Sequence, residues 1–473
     1  MKHPLRALTI DLGTVDQGTD GLGTADLGTC LTAPDAYCWI RRGEGQVGFG
    51  EAARFSVTGP ERFIEAEAWW KQVTLDACIT DPVQHPGTGL LAFGSFAFSK
   101  TSRYLSRLIV PELVIGIRDG RGWATLVTND GREPSEPEVR AAVVRVLASR
   151  TGAANQLSGG TTAHADSAGD GAVRGGAGPE TAAAGPGFPE TTLHGPVTLG
   201  PGALGEQRWM DAVSAGVARI SAGDLEKLVL ARDIVVTHGA PIERHEVLRR
   251  LGAAYWDTWV YGVDGLVGAT PEMLIQVEGR TAQARVLAGT LDRREANGKG
   301  ENYAERVLAG SPKQRHEHEI AIQSLTSALE PFSEAMNAHD EPFILELPNV
   351  FHLASDVKAE LADVEGHVPT SLALVNALHP TAAVCGTPTS VAGALIRELE
   401  AMDRGPYAGP VGWLDAAGNG EWGIALRGGV IESPTAMRLY AGCGIVEGSQ
   451  PAVELAETWA KFRPMLEALG IER

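Results

Sequence analysis

The sequence predicts an α/β (α+β) fold, and three observations carry that expectation. Strand and helix signals alternate through residues 205–473. Glycine-bearing turns of the hairpin kind separate several of the strand signals. The 473 residues are 44% hydrophobic, ample for a large core in one big domain or about two to three ordinary ones.

Taken in order, Leu228–Val236 reads as a strand rich in β-branched residues, with Lys227 leading it. Trp256–Val263 and Glu272–Val277 read as further strands joined by a glycine turn. Asn302–Leu329 reads as helix around a break at Ser311-Pro312. Gly409–Trp413, Glu421–Arg427 and Met437–Tyr440 are strand-like, and Gly418-Asn419-Gly420 is a hairpin signal. A last helix is expected with Ser449 as its cap, Pro451 near its first turn and Gly470 as its stop.

Upstream, residues 11–29 repeat a short pattern, Asp11-Leu12-Gly13-Thr14, then Gly21-Leu22-Gly23-Thr24, then Asp26-Leu27-Gly28-Thr29. Such copies are too close for each to serve a nucleotide, and they read as a glycine-rich loop region. The run Thr151–Thr192 is dominated by Gly, Ala, Thr, Ser and Pro. It buries too little apolar surface to offset chain ordering, so a flexible insertion is expected. The expected organisation is an N-terminal portion at 1–149, the insertion at 150–200 and a catalytic portion at 201–473.

Basic residues number 40 against 59 acidic, a formal net charge of −19. That field opposes nucleic acid and anionic membranes. An anionic substrate must then be caught by a few local cations or a bound metal. The five cysteines form no CxxC pair, which suits reduced thiols in a cytoplasm better than zinc or a disulfide framework. No apolar run reaches the roughly 18 residues that a membrane helix needs. Early acids at Asp11 and Asp16 argue against a secretory leader.

Several features can carry chemistry. In the last helix, Leu455, Trp459, Phe462 and Leu466 form an apolar stripe. Glu454, Glu457 and Lys461 share another face. Two carboxylates three apart suit a hard cation such as Mg²⁺; a solvated face with a Glu457–Lys461 pair is the alternative. In His316-Glu317-His318-Glu319, the histidines point to different sides of a helix, which argues against zinc and leaves Glu317 as an oxygen ligand or part of a polar helix start. Lys227 is either a solvated strand-end lysine or, against apolar walls, a base. Glu272 follows the Gly268–Pro271 turn and is either exposed or a buried acid. The glycine segments Leu287–Thr290, Arg427–Gly429 and Ala441–Gly444 are either turns or backbone donors to a carboxylate.

Nine segments in order resemble the chorismate-utilising enzymes: KLVLAR (227–232), GATPEML (268–274), LAGT (287–290), HEHEI (316–320), HPTAAVCGTP (379–388), GPYAGPVGW (405–413), GNGEWGIALR (418–427), LYAGCGIV (439–446) and ELAETWAKF (454–462). The likeness spans about 205–473, and Leu90–Phe98 resembles the family's N-terminal strand motif. It implies a single large chorismate-binding domain, two antiparallel sheets packed face to face with helices outside. It also implies Mg²⁺ on Glu317 and Glu457 with Glu454 close by, and a carboxylate clamp from Arg427 and Tyr407. Gly442 and Gly444 would offer backbone N–H groups, and Lys461 positive charge. Gly289, Thr290, His352 and Ala383 match pocket-lining positions. Gln314 stands where some relatives carry a further acid.

Lys227 divides the family. Synthases that use ammonia typically have glutamine there, and ammonia needs no strong base. The lysine implies water as nucleophile, with Lys227 deprotonating it and Glu272 protonating the departing hydroxyl. The resemblance therefore points to a monomeric isochorismate synthase acting on chorismate without an amidotransferase subunit. A salicylate synthase is the alternative, since those enzymes share the lysine and often a tyrosine at the Tyr407 place. A non-catalytic relative on the same fold is a third reading, opposed by the complete set of site residues.

Overall fold

The computed structural model describes residues 3–14, 27–31, 33, 35–157, 196–300, 302–337, 341–347, 350–364 and 366–471, apart from the side chains at 29, 149–157, 288, 290, 313 and 317. Two sheets dominate, one of 13 strands and one of 10. The strand pair Arg6–Thr14 and Cys78–Thr80 is parallel; every other described pairing is antiparallel.

Strands from before and after residues 150–200 share both sheets. In the larger sheet Val260 lies opposite Ile40, and in the smaller Val411 lies opposite Ser95. The helix Glu136–Leu157 and the strand Val197–Pro201 extend regular structure into both ends of that range, whose middle lies outside the described residues. The repeat at 11–29 is described only in part: its first copy ends the strand Arg6–Thr14, and Leu27–Cys30 is a short 3₁₀ turn.

The sheets pack face to face through an aromatic layer. Trp39, Trp259 and Tyr261 of the larger sheet meet Phe93 and Trp413 of the smaller. Glu421 of the smaller sheet accepts from Trp39 Nε1 at 2.8 Å and from Arg118 at 2.6 Å, both of the larger sheet. Helices cover the outer faces: Arg62–Asp76, Pro312–Leu329 and Ser371–Leu378 on the smaller sheet, and Arg244–Ala254 and Pro451–Ala468 on the larger.

Three local expectations are corrected. The glycine segments are not turns: Leu287–Thr290 lies within the strand Thr281–Asp292, Ala441–Gly444 within Ala436–Ile445, and Gly428-Gly429 opens Gly428–Ser433. Long-range pairing overrides the glycine signal, because partner strands supply the ladder bonds whatever the local preference. Ser449 does not cap the last helix. Gln450 takes the cap position, and Ser449 Oγ instead accepts from Val446 N–H at 3.2 Å. The strand predicted from Trp256 starts at Trp259, leaving Trp256 exposed. By contrast, Ser311 does cap the helix after the predicted break, and Gly470 takes a φ of 73° just past the last helix.

Candidate active site

One pocket gathers residues from both sheets, the helices Pro312–Leu329 and Pro451–Ala468 and four connecting segments. Its walls include twelve of the fourteen residues singled out in the sequence: Lys227, Glu272, Gly289, His352, Ala383, Tyr407, Arg427, Gly442, Gly444, Glu454, Glu457 and Lys461. The other two are Thr290 and Glu317, whose side chains lie outside the described residues. Their backbones are placed, Thr290 opposite His352 and Glu317 in the helix Pro312–Leu329.

Lys227 begins the strand Lys227–His238 and is 1% exposed, so its solvated reading fails. Its backbone is held closely: Thr387 pairs with it, and Gly386 packs so near that an added Cβ there would sit 2.2 Å from the Lys227 carbonyl oxygen. Glu272 is also buried, at the bend between Leu266–Thr270 and Met273–Glu278. Burial pushes its carboxyl up to about 7, with Lys227, Lys461 and Arg427 pulling the other way. A large share of Glu272 therefore carries a proton at neutral pH.

Arg427 follows the strand Gly420–Ile424 with a φ of 48°, a left-handed conformation that costs a non-glycine residue roughly 1–2 kcal/mol. The flanking carbonyls hold it there: Leu426 accepts from Tyr261 Oη at 2.8 Å and Arg427 itself from Ala269 N–H at 3.2 Å. Its buried Nη2 lies 3.4 Å from His352 Nε2. Arginine only donates, so this histidine nitrogen accepts, and Nδ1–H donates to the Gly289 carbonyl at 3.1 Å. Burial, with Arg427 and Lys461 nearby, brings His352 down to about 3, so the ring stays neutral. Arg427 Nη1 is buried and has no hydrogen-bond partner among the described residues. A buried donor left open is costly, and a ligand carboxylate would satisfy it.

Lys461 holds one turn of the last helix to the strand beside it. Its Nζ donates to Gly442 O at 2.8 Å and meets Glu457 Oε1 at 2.6 Å. The i,i+4 pair expected of a solvated face thus exists, but it forms inside the pocket wall. Glu454, one turn earlier, is 5% exposed. Glu454 and Glu457 offer hard oxygen donors on one helix face, the set a small divalent cation prefers. Among the described residues no third Asp, Glu, His or Cys completes a ligand cluster with them. Tyr407 stacks on Tyr440 with ring centroids 5.1 Å apart.

Gly289 sits at a bulge in the pairing of Thr281–Asp292 with Val350–Leu361, with a φ of 80°. An added Cβ there would come 2.4 Å from Gln314 Oε1, so the glycine lets the pocket wall close around Gln314. Sequence reasoning missed the buried pair Arg404–Glu400. Arg404 donates to both Glu400 oxygens, to Val384 O at 2.8 Å and to Val229 O at 2.9 Å, while Glu400 Oε1 accepts from Ala231 N–H at 2.7 Å. The only signal was an i,i+4 Glu–Arg spacing, which ordinarily marks a helix surface.

The motif order, the fold and this pocket now stand together, and a family model for chorismate binding enzymes matches residues 32–154 and 195–470. The chain belongs to the chorismate-binding enzyme family. It is 38% identical over 275 residues to the isochorismate synthase DhbC of Bacillus subtilis, covering 56% of this chain and 68% of that protein. It is 35% identical over 274 residues to the isochorismate synthase MenF of the same organism, covering 57% of each. The solved menaquinone-specific isochorismate synthase MenF of Escherichia coli shares the fold, with a TM-score of 0.70 at 20% identity over 99% of this chain and 95% of that one. The two-sheet architecture implied by the resemblance is therefore the observed one. No described helix of this enzyme is long and apolar enough to cross a membrane.

Proposed function

We propose that this enzyme is a magnesium-dependent isochorismate synthase, adding a water-derived hydroxyl to C2 of chorismate as the C4 hydroxyl leaves. One observation supports it above the others: a buried lysine and a buried carboxyl near its protonation midpoint share a pocket with an arginine whose Nη1 is open. Lys227 takes the proton from the attacking water. Glu272, protonated in good part at neutral pH, gives its proton to the departing hydroxyl. Arg427 receives the enolpyruvyl carboxylate, oriented by neutral His352, and Tyr407 closes that side. Each proton transfer of this kind contributes roughly 10²–10⁴-fold.

Glu454, Glu457 and Glu317 would hold Mg²⁺, which commonly binds through one or two carboxylates plus substrate and water. Bound there, it supplies Lewis-acid charge to the ring carboxylate. Lys461 fixes Glu457 and the Gly442 carbonyl, so the helix and strand keep their spacing when a dianion enters. Water as nucleophile requires no ammonia, and the proposal accordingly has the enzyme working as a cytoplasmic monomer without an amidotransferase partner.

The test is a chromatographic product assay with chorismate and Mg²⁺. The expected product is isochorismate with no pyruvate. Pyruvate in step with salicylate would replace the proposal with a salicylate synthase. Lys227→Gln should lower turnover by about 10²–10⁴-fold while leaving chorismate binding within a few fold. Normal turnover in that variant would remove Lys227 from the role of base.

A further inference from the structure

A second cavity, of about 620 Å³, shares Arg404 with the catalytic pocket. Residues 98–103, His379, Pro380, Cys385 and the helix Thr389–Leu399 form much of its wall, with Arg62 and Phe63 from the helix Arg62–Asp76. Two polar side chains in this wall are buried and incompletely matched. Arg62 is 4% exposed and donates to backbone carbonyls: Nε to Ala97 at 3.1 Å, Nη2 to Phe98 at 3.3 Å and Nη1 to Gly59 at 3.5 Å. Three of its five N–H donors are used, and no carboxylate acts on its charge among the described residues.

His379 is 8% exposed, and its Nε2 lies 2.9 Å from the Phe98 carbonyl. A carbonyl only accepts, so Nε2 carries the proton and Nδ1 is an acceptor. That Nδ1 is buried with no partner among the described residues. Burial brings the ring down to about 3, with Arg62 and Arg404 adding to the effect and the Phe98 carbonyl opposing it, so it stays neutral.

The cavity is also positive within a chain of net charge −19. Lys100, Arg103 and Arg397 stand exposed at its rim, none in an ion pair among the described residues. Asp403 is the one acid in the described wall, and it is committed. Its Oδ2 accepts from Ser102 Oγ and Arg103 N–H, both at 2.9 Å, and its Oδ1 from Gly405 N–H at 2.9 Å. Phe63 and Phe98 flank His379 edge-on, with centroids 5.9 and 5.7 Å from it.

We infer that this cavity is a second ligand site, built for a small ring carboxylate that bears a hydroxyl. The carboxylate meets Arg62 and the rim cations, the hydroxyl donates to His379 Nδ1, and the ring lies against Phe63 and Phe98. Arg404 lines both pockets, so an occupant sits against the arginine that ties Val229 and Val384 in place. The inference stands apart from the reaction proposed above.

Titration calorimetry of the full chain with 3-hydroxybenzoate tests it, with benzoate as the probe that lacks the donor. Sub-millimolar binding of the first is expected, and binding of the second at least ~10-fold weaker, about 1.4 kcal/mol. A Cβ at Gly393 meets nothing closer than Cys385 Sγ at 3.8 Å, so Gly393→Phe fills the cavity from its helix and should abolish binding. Arg397→Glu should weaken it at least ~10-fold by reversing one rim charge. Because an aromatic carboxylate also suits the catalytic pocket, Arg427→Ala must retain binding. Loss in Arg427→Ala with retention in Gly393→Phe would overturn the inference, as would no binding of 3-hydroxybenzoate at millimolar concentration.

Discussion

Two buried arginines line the catalytic pocket and do opposite things. Arg404 is nearly saturated by the protein: Glu400 neutralises it, and four of its five N–H donors go to Glu400, Val384 and Val229. Among the described residues Arg427 meets only His352 as a hydrogen-bond acceptor, and its Nη1 is left open. Burial pulls Arg427 below the ordinary arginine value, and Tyr407, Glu457, Tyr255 and Glu272 oppose it at a distance. Burial alone therefore does not mark a functional cation. The completeness of its bonding does: a saturated guanidinium is scaffold, and an unsaturated one awaits a ligand.

Substitution separates the two. Arg404→Met strands Glu400 in the core and should cost about 3–5 kcal/mol of stability, read from denaturant unfolding; the double change with Glu400→Met should recover most of it. Arg427→Ala should leave stability nearly unchanged, because the charge it removes has no close acidic partner among the described residues. Its kcat/KM for chorismate should fall about 10²–10³-fold, the range for losing one side of a buried charge contact. The contrast collapses if Arg427→Ala unfolds the enzyme as readily as Arg404→Met does.

Glu272 sharpens the same comparison, being a buried carboxyl that makes no ion pair like that of Glu400 among the described residues. Its folded value of about 7 lies above the ordinary 4.5, so the folded state holds a proton that the unfolded state releases. The stability this contributes is fully present below about 4.5 and is lost as pH rises through about 7. Glu272→Gln should therefore be more stable than the parent at pH 8, by on the order of 2–3 kcal/mol, and equal to it near pH 4. The parent's kcat/KM should fall above about pH 7 as the acid loses its proton. Equal thermal shifts at both pH values would mean that burial does not govern this carboxyl.

Gly289→Ala is the mildest case. With a φ of 80° and Gln314 Oε1 in the way, it should lose about 1 kcal/mol of stability and several-fold in KM, since Gln314 must withdraw from the pocket wall. An unchanged KM would show that this wall tolerates a looser fit.

Much of the site was legible in the sequence because its residues lie in short segments whose order is distinctive. Lys227 before an apolar run, Glu272 after a turn and Glu454, Glu457 and Lys461 at helical spacing could each be placed on an element from local pattern alone. The alternation of strand and helix signals likewise fixed the α/β class. Local pattern failed where partners are remote. It left Lys227 open between a solvated strand end and a base, left the glycine segments open between turns and backbone donors, and gave Glu400–Arg404 no role. Burial, register and hydrogen-bond completeness belong to contacts between residues up to hundreds of positions apart, such as Trp39 with Glu421 or Arg404 with Val229. Only the packed structure decided that Lys227 is dry, that Glu272 holds its proton near neutrality and that one of two buried arginines is left open, because desolvation acts on a group only when the rest of the chain has closed around it.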